Sequence, residues 1–161
     1  LGGLATVKPK DMGSAVVKAL LEDANVAPEN VDEVICGNVL GAGLGQNIGR
    51  TIALEAGIPE TVCAHSVNMV CGSGLRTVME AVMSIQCGFN DIVVAGGVES
   101  MSGAPYLIPA NTRTGNKRCV QFFGTGHTGF FVYCKKALDI LYRVVFHQCE
   151  NQSHSDSVIC A

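Results

Sequence analysis

Apolar residues recur at helical spacing in three segments of the chain. Residues 11–24 form the first predicted helix, with Asp11 as its N-cap. Residues 47–56 form the second predicted helix. Residues 72–86 form the third, an amphipathic helix that ends before a glycine. Its predicted apolar side consists of Leu75, Val78, Met79, Val82 and Met83.

Three short apolar runs between these helices predict strands. Residues 32–40 are apolar at their centre on both faces, as is typical of parallel strands covered by helices. Residues 63–68 alternate less regularly because His65 interrupts the pattern, and residues 91–96 predict a short buried strand. Helices alternate with strands along the chain, which predicts an α/β fold with a mostly parallel, helix-covered sheet.

Composition changes abruptly after Lys117. Residues 118–161 hold five of the six Phe, four of the eight Cys and three of the four His. We therefore expect one domain over residues 1–117 and a tail of different character over residues 118–161. A tail translated out of frame is one explanation, and a local helix around residues 135–146 is another.

Charge and hydropathy exclude several classes of function. The formal net charge is -3, and no run of Lys or Arg occurs in the first hundred residues, so the sequence predicts no nucleic-acid partner. No apolar run approaches the roughly 18 residues of a membrane span, and no signal core opens the chain, so we expect a cytoplasmic protein without membrane contact. The cysteines lie in apolar runs or beside glycine, which indicates reduced thiols.

Cys71 is the strongest candidate for chemistry. It lies in the segment Val67–Leu75, at a predicted strand-to-helix turn where Gly72 and Gly74 allow the backbone to bend tightly. The unpaired N–H groups at a helix N-terminus favour a thiolate over a thiol. From these residues alone, a buried structural cysteine stays open as the alternative.

Segment Val67–Leu75 resembles the nucleophile motif of the thiolase family. Four further segments resemble thiolase segments in the same order, namely Gly37–Leu40, Gly45–Asn47, Gly57–Pro59 and Ala95–Ser102. The resemblance covers residues 1–117 and is greatest to the bacterial biosynthetic branch, the acetyl-CoA C-acetyltransferases. It implies a thiolase-like fold of which this chain holds only the N-terminal half. Leu1 is not a Met, and no strand precedes the Gly-Gly opening, so we also expect residues to be missing upstream.

The resemblance also implies a reaction and its partners. Cys71 would take an acetyl group from acetyl-CoA, and a second acetyl-CoA would attack it to give acetoacetyl-CoA. The Cys71 N–H, in the turn with Gly72 and Gly74, would contribute to an oxyanion hole. Coenzyme A enters as substrate, and neither a separate cofactor nor a metal is expected. Gln46 would face a second copy in a homo-oligomer, although a plain connecting loop is the open alternative.

Other thiolase motifs do not occur in this sequence. It contains no Asn-Glu-Ala-Phe, Gly-His-Pro or Cys-x-Gly-Gly-Gly segment, and His127 in Gly-His-Thr is a poor match to the second of these. We expect weak or no catalysis without the missing general base, which contributes roughly 10²- to 10⁴-fold in rate. The alternative is a non-catalytic dimerising or acyl-binding module, since half a thiolase would leave an apolar helix layer uncovered.

Three remaining candidates receive structural interpretations. His65 is interpreted as a satisfied core or interface histidine, and Glu99 as a hydrogen-bonded structural carboxylate. The tail also contains a scattered set of cysteines and histidines that lacks zinc-finger spacing. This set comprises Cys119, Cys134, Cys149, Cys160, His127, His147 and His154.

Overall fold

The computed structural model describes residues 3–105 and 128–136. Within them, the helices are α1 (Pro9–Asp23), α2 (Ile48–Glu55) and α3 (Ser73–Gln86), with a 3-10 turn at Pro28–Asn30. The strands are β1 (Glu33–Gly37), β2 (Cys63–Val67), β3 (Ile92–Ser100) and β4 (Thr128–Lys136). All six segments predicted to be helices or strands are present, with shifted ends.

The four strands form one sheet in the order β2-β1-β3-β4. Strand β1 lies between β2 and β3 and runs parallel to both, which confirms the mostly parallel sheet. Strand β4 pairs antiparallel with the whole of β3 and comes from the segment for which the sequence predicted no strand. Lys135 and Lys136 end β4, so the suggested helix around residues 135–146 is wrong at these two positions, and its remainder lies outside the described residues.

Helices cover both faces of the sheet, because the side chains of β1 and β3 alternate between two apolar clusters. Val34 and Cys36 point into the larger cluster, which α1 and α2 complete. Ile35 points to the opposite face and packs with Ala81 of α3. Each fully buried Val or Ile contributes roughly 1.5–3 kcal/mol relative to an exposed one. The larger cluster contains Val17, Leu20, Leu21, Val26, Val31, Val34, Cys36, Ile48, Ile52, Ala53, Ala56, Ile58, Val62, Ile92, Val94 and Val98.

Helix α1 begins earlier than predicted. Its first residue is Pro9, and its N-cap is Lys8, which makes no side-chain capping bond. The prediction of Asp11 as N-cap is therefore wrong. A proline at the first helical position has a preset φ and no N–H that needs a partner, so it starts the helix without a capping side chain. Asp11 lies in the first turn, where a carboxylate complements the positive end of the helix.

Helix α3 turns a different side to the sheet from the apolar side predicted. Its buried residues are Ser73, Thr77 and Ala81, whereas Leu75 is 50% exposed and Met79 is 47% exposed. Small side chains allow the helix backbone to approach the strands closely, so the helix packs through them. The larger apolar side chains consequently form a solvent-facing stripe, which we call the α3 stripe and define as Leu75, Met79 and Met83.

No helix in the described part of the chain is long and apolar enough to cross a membrane.

Candidate active site at the turn before helix α3

Cys71 lies in the turn that joins β2 to α3. Gly72 is the N-cap of α3, so Cys71 immediately precedes the helix, and its side chain is exposed. This is the strand-to-helix placement that the sequence predicts. The backbone N–H groups of the first helical turn have no partners within the helix and attract negative charge. A developing oxyanion next to Cys71 would therefore be stabilised by the start of α3.

The tight bend of this turn falls on Val70 rather than on a glycine. Val70 has φ 52°, in the left-handed region. Gly72 has φ -83°, and Gly74 has no atom within 4 Å of an added Cβ. The left-handed conformation in this turn is thus at Val70, and the turn role of Gly72 and Gly74 stays a prediction. A β-branched residue in this conformation costs on the order of 1–3 kcal/mol.

Hydrogen bonds between residues close in sequence stabilise the turn. The Gly72 N–H donates to the Met69 carbonyl at 3.1 Å, and the Ser73 N–H donates to the Val70 carbonyl at 3.1 Å. The Asn68 side chain accepts from the Val70 N–H at 3.1 Å. Gly72 accordingly acts as a turn residue in this structure. The oxyanion role of Gly72 and Gly74 stays a prediction.

Gly37, the last residue of β1, allows α3 to pack directly on the sheet, and Gly97 is its partner in β3. A Cβ on Gly37 would lie 2.7 Å from the carbonyl carbon of Ser73, and one on Gly97 would lie 2.9 Å from the Gly37 oxygen. The hydroxyl of Thr77 lies 2.7 Å from the Gly74 carbonyl and 3.2 Å from the Gly96 carbonyl of β3. The start of α3, and with it the turn of Cys71, is thus seated against β1 and β3.

Glu99 organises the loop that follows β1. Its carboxylate accepts from the Val39 N–H at 2.9 Å, the Leu40 N–H at 3.1 Å and the Asn38 side-chain amide at 3.2 Å. The Asn38 backbone N–H in turn donates to the carbonyl of Val67, the last residue of β2, at 3.0 Å. These contacts confirm Glu99 as a hydrogen-bonded structural carboxylate. They also connect it to the strand that leads into the Cys71 turn.

His65 lies between two carboxylates rather than in the core. Its Nδ1 is 3.3 Å from Glu33 and its Nε2 is 3.4 Å from Glu80, and its side chain is 45% exposed. Arg76 also contacts Glu80 at 2.8 Å. Burial opposes ionisation of Glu80, but the hydrogen bonds from Arg76 and His65 outweigh it and hold the pKa of this carboxyl below its usual range. The Nε2 atom of His65 lies within hydrogen-bond distance of Glu80, so His65 has a partner, but at a partly exposed position and not in the core.

The other cysteines of residues 3–105 provide contrasting environments. Cys36 is buried, and burial raises the pKa of its thiol to about 12, so this group stays protonated and unreactive. Cys63 and Cys87 are exposed, as Cys71 is. These two serve as reference thiols of similar access that do not lie at the start of a helix.

Gln46 is exposed in a loop where Gly43 and Gly45 adopt left-handed conformations, with φ 79° and 88°. Its role at a subunit interface stays a prediction. Among residues 3–105 and 128–136, no three His, Cys, Asp or Glu side chains are placed to hold a metal ion. His127 and most of the scattered tail residues lie outside the described part of the chain, and Cys134 lies in β4.

Sequence reasoning missed two residues of this turn. Ser73 is buried and bonded to the turn, and Val70 carries the unusual backbone conformation. A serine in the first turn of the predicted helix was the available signal for Ser73, because hydroxyls at helix starts commonly bond nearby backbone groups. No local signal marks Val70, since valine disfavours the conformation that it adopts here.

Comparison with known proteins gives a consistent result. The model of the family "Thiolase, N-terminal domain" matches residues 1–142, beyond the composition change at residue 117. The acetyl-CoA acetyltransferase of Escherichia coli (strain K12) is 52% identical over 114 residues, which cover 71% of this chain and 29% of that protein. The cytosolic acetyl-CoA acetyltransferase of Mus musculus is 53% identical over 114 residues, covering 71% and 28% of the two chains.

A solved structure agrees with these relatives. The Acat5 thiolase from Ascaris suum in complex with coenzyme A superposes with a TM-score of 0.72 at 34% identity, over 78% of this chain and 33% of that one. The chain therefore spans about a third or less of the length of these relatives. Because the N-terminal domain model matches most of its residues, this chain belongs to the thiolase family.

Proposed function

We propose that this chain carries the nucleophile of an acetyl-CoA acetyltransferase and that Cys71 is the residue that holds the acetyl group. The observation that carries the proposal is an exposed thiol directly before the N-cap of α3. The names of the relatives from Escherichia coli and Mus musculus support acetyl-CoA as the substrate. The coenzyme A complex of the Ascaris suum thiolase supports a coenzyme A thioester as its chemical class.

The reaction proceeds in two steps that restore the enzyme. The Cys71 thiolate attacks the carbonyl carbon of acetyl-CoA, a new thioester forms, and the coenzyme A thiolate leaves and takes a proton. A second acetyl-CoA loses a proton from its methyl carbon, and that carbon attacks the acetyl carbon on Cys71. The Cys71 thiolate then leaves and acetoacetyl-CoA is released. The positive end of α3 stabilises the negative charge that develops next to Cys71.

Deprotonation of the second acetyl-CoA requires a base that the Cys71 turn does not provide. A positioned base contributes roughly 10²- to 10⁴-fold to such a step. We therefore expect the 161-residue chain to accept one acetyl group and to turn over slowly or not at all. Its cytoplasmic location is part of the same proposal and is supported by the mouse relative being named cytosolic.

Acetylation of Cys71 can be measured directly. The chain is incubated with acetyl-CoA under reducing conditions, digested, and examined by mass spectrometry for one acetyl group on each cysteine-containing peptide. Cys71 should be modified before Cys63 and Cys87, which are also exposed free thiols but do not precede a helix. Cys36 should stay unmodified because it is buried as a neutral thiol.

The Cys71→Ala variant is the control, since it removes the thiol from an exposed position without adding bulk. Equal acetylation of Cys71, Cys63 and Cys87 would indicate nonspecific transfer and would contradict the proposal. If the Cys71→Ala variant is acetylated as much as the wild-type chain, the proposal is contradicted as well.

A non-catalytic association module is the second candidate function. The exposed α3 stripe favours it, because contiguous apolar side chains on a surface commonly mark a contact site. The proposed homo-oligomer with Gln46 at its interface belongs to both candidates. Selective acetylation of Cys71 decides for the first candidate.

A further inference from the structure

The side chain of Ser73 spans the turn in which Cys71 lies. Its hydroxyl accepts a hydrogen bond from the Met69 N–H at 2.8 Å and donates one to the Val70 carbonyl at 2.6 Å. A serine hydroxyl has one proton and two lone pairs, so it can make both bonds at once. Cys71 lies between Ser73 and the two residues that Ser73 holds. The hydroxyl therefore fixes the chain on both sides of the thiol.

Val70 makes such a restraint necessary. It is a β-branched residue with φ 52°, a conformation that its side chain disfavours. Its side chain is 66% exposed, so burial does not compensate for the strain. A strained residue on the surface persists only when neighbouring contacts impose its conformation. The bonds from Ser73 to Met69 and Val70 are contacts of this kind.

Ser73 can impose the conformation because it is itself anchored. Its side chain is only 4% exposed, and its carbonyl carbon lies so close to Gly37 that no Cβ would fit there. One turn later, Thr77 is fully buried and bonds to Gly96 of β3. The sheet thus holds the start of α3 in place, and Ser73 at that start holds the residues around Cys71.

We propose that Ser73 is a positioning residue, whose hydroxyl holds the strained peptide at Val70 so that the Cys71 thiol stays at the N-terminus of α3. This inference rests on the proposed function in that Cys71 is taken as the acyl carrier. Loss of the hydroxyl lets Val70 relax toward φ below zero, which moves the following residue, Cys71, away from the helix end. Glycine at position 70 adopts positive φ without strain and so makes the restraint dispensable.

The test measures the alkylation rate of each thiol with iodoacetamide in the 161-residue chain, using peptide mass spectrometry to separate the sites. The variants are Ser73→Ala, Val70→Gly and the combination of the two. Cys87, at the other end of α3, is the reference thiol within each molecule. Ser84→Ala is the matched control, because it also removes a hydroxyl from α3. The Ser84 hydroxyl accepts its hydrogen bond from Asn90 rather than from the turn.

Ser73→Ala should lower the alkylation rate of Cys71 about tenfold, the size expected when the charge on the attacking sulfur loses its interaction with a helix N-terminus. Cys87 should react at the wild-type rate in every variant. Adding Val70→Gly to Ser73→Ala should restore most of the Cys71 rate, whereas Ser84→Ala should leave it unchanged.

An unchanged Cys71 rate in Ser73→Ala would overturn the proposal. A lowered rate that Val70→Gly does not restore would overturn it too, because Ser73 would then act through packing rather than through the strained turn. If Ser73→Ala alone does not fold, the double variant decides, with recovery of fold and rate supporting the proposal and continued failure rejecting it. Alkylation needs no acetyl-CoA, so a wild-type chain that is never acetylated refutes the proposed function without affecting this test.

Discussion

Two glycines near Cys71 lie in opposite environments, and the difference shows how individual residues determine this site. Gly37 faces the backbone of Ser73 and Gly74, and an added Cβ would lie 2.7–2.9 Å from three backbone atoms. Gly74 faces open space. Backbone atoms cannot move aside as a flexible side chain can, so the requirement for glycine is steric at position 37 and absent at position 74.

Replacement of each glycine by alanine should therefore have opposite effects on stability. Gly37→Ala should lower the free energy of unfolding by roughly 1–3 kcal/mol or more, because it forces α3 away from β1. Gly74→Ala should raise it by about 0.5–1 kcal/mol, because alanine is the better helix former and has room. Urea unfolding followed by circular dichroism measures both. Equal destabilisation by the two variants would contradict the close contact between α3 and β1.

At the scale of secondary-structure elements, α3 is tied to β1 and β2 by a cluster of charged side chains. His65 of β2 lies between Glu33 of β1 and Glu80 of α3, and Arg76 adds a second contact to Glu80. Because the pKa of Glu80 is lowered in the folded chain, its carboxylate stabilises the fold at pH values above its ordinary pKa of 4.5. That contribution disappears as the pH falls through the lowered pKa.

Glu80→Gln should consequently destabilise the chain at neutral pH by roughly 0.5–1 kcal/mol, the range for partly exposed charge pairs. The difference from wild type should vanish in acid, once Glu80 is protonated in both the folded and the unfolded chain. Thermal unfolding between neutral pH and about pH 3 measures the effect. Glu29→Gln at an exposed position serves as the control, and its difference in stability from wild type should not change between neutral and acidic pH. A constant difference at every pH would exclude an electrostatic origin.

The elements also show what could be predicted from the sequence and what could not. Existence and order of the helices and of strands β1–β3 were predictable, because apolar spacing and glycine or proline boundaries are local signals. The side of α3 that packs on the sheet was not predictable, because Ser73 and Thr77 are buried against glycines of β1 and β3 that are distant in sequence. Strand β3 also runs past its predicted end, where it pairs with β4 through Ser100.

The same distinction applies to the candidate site. The position of Cys71 at a strand-to-helix turn follows from a motif that lies within a few residues, whereas its exposure does not, because a buried cysteine was equally compatible with that motif. The left-handed Val70 and the restraint by Ser73 do not, because they depend on how β1, β3 and α3 fit together. Glu99 was predictable as a structural carboxylate from its apolar surroundings, but its partners in the loop after β1 were not.

At the scale of the molecule, the α3 stripe is a continuous apolar feature on the surface of residues 3–105. Leu75, Met79 and Met83 are each about half exposed and are spaced to form one continuous apolar line along the helix. Apolar contact between molecules would remove this line from water. We therefore expect the 161-residue chain to self-associate as its concentration rises.

Replacing Leu75 and Met79 together by Gln should shift the chain toward monomer at a given concentration, because it removes apolar contact area while retaining good helix formers. Sedimentation velocity at several concentrations measures the shift. Leu54→Gln is the matched control, since Leu54 is 46% exposed on α2 and lies outside the stripe. If Leu54→Gln shifts the equilibrium as much as the stripe variant does, association is not specific to α3.

The packing of α3 against β1 and β3 also has a consequence for how the protein is synthesised. A ribosome synthesises Cys71 before β3, so the nascent chain contains the thiol before it contains the strand that contacts Thr77. Parallel strands pair only after a long segment has been completed. During that interval Cys71 is an ordinary cysteine of a nascent chain, and it acquires its special surroundings only when β3 has been translated and has taken its place beside β1.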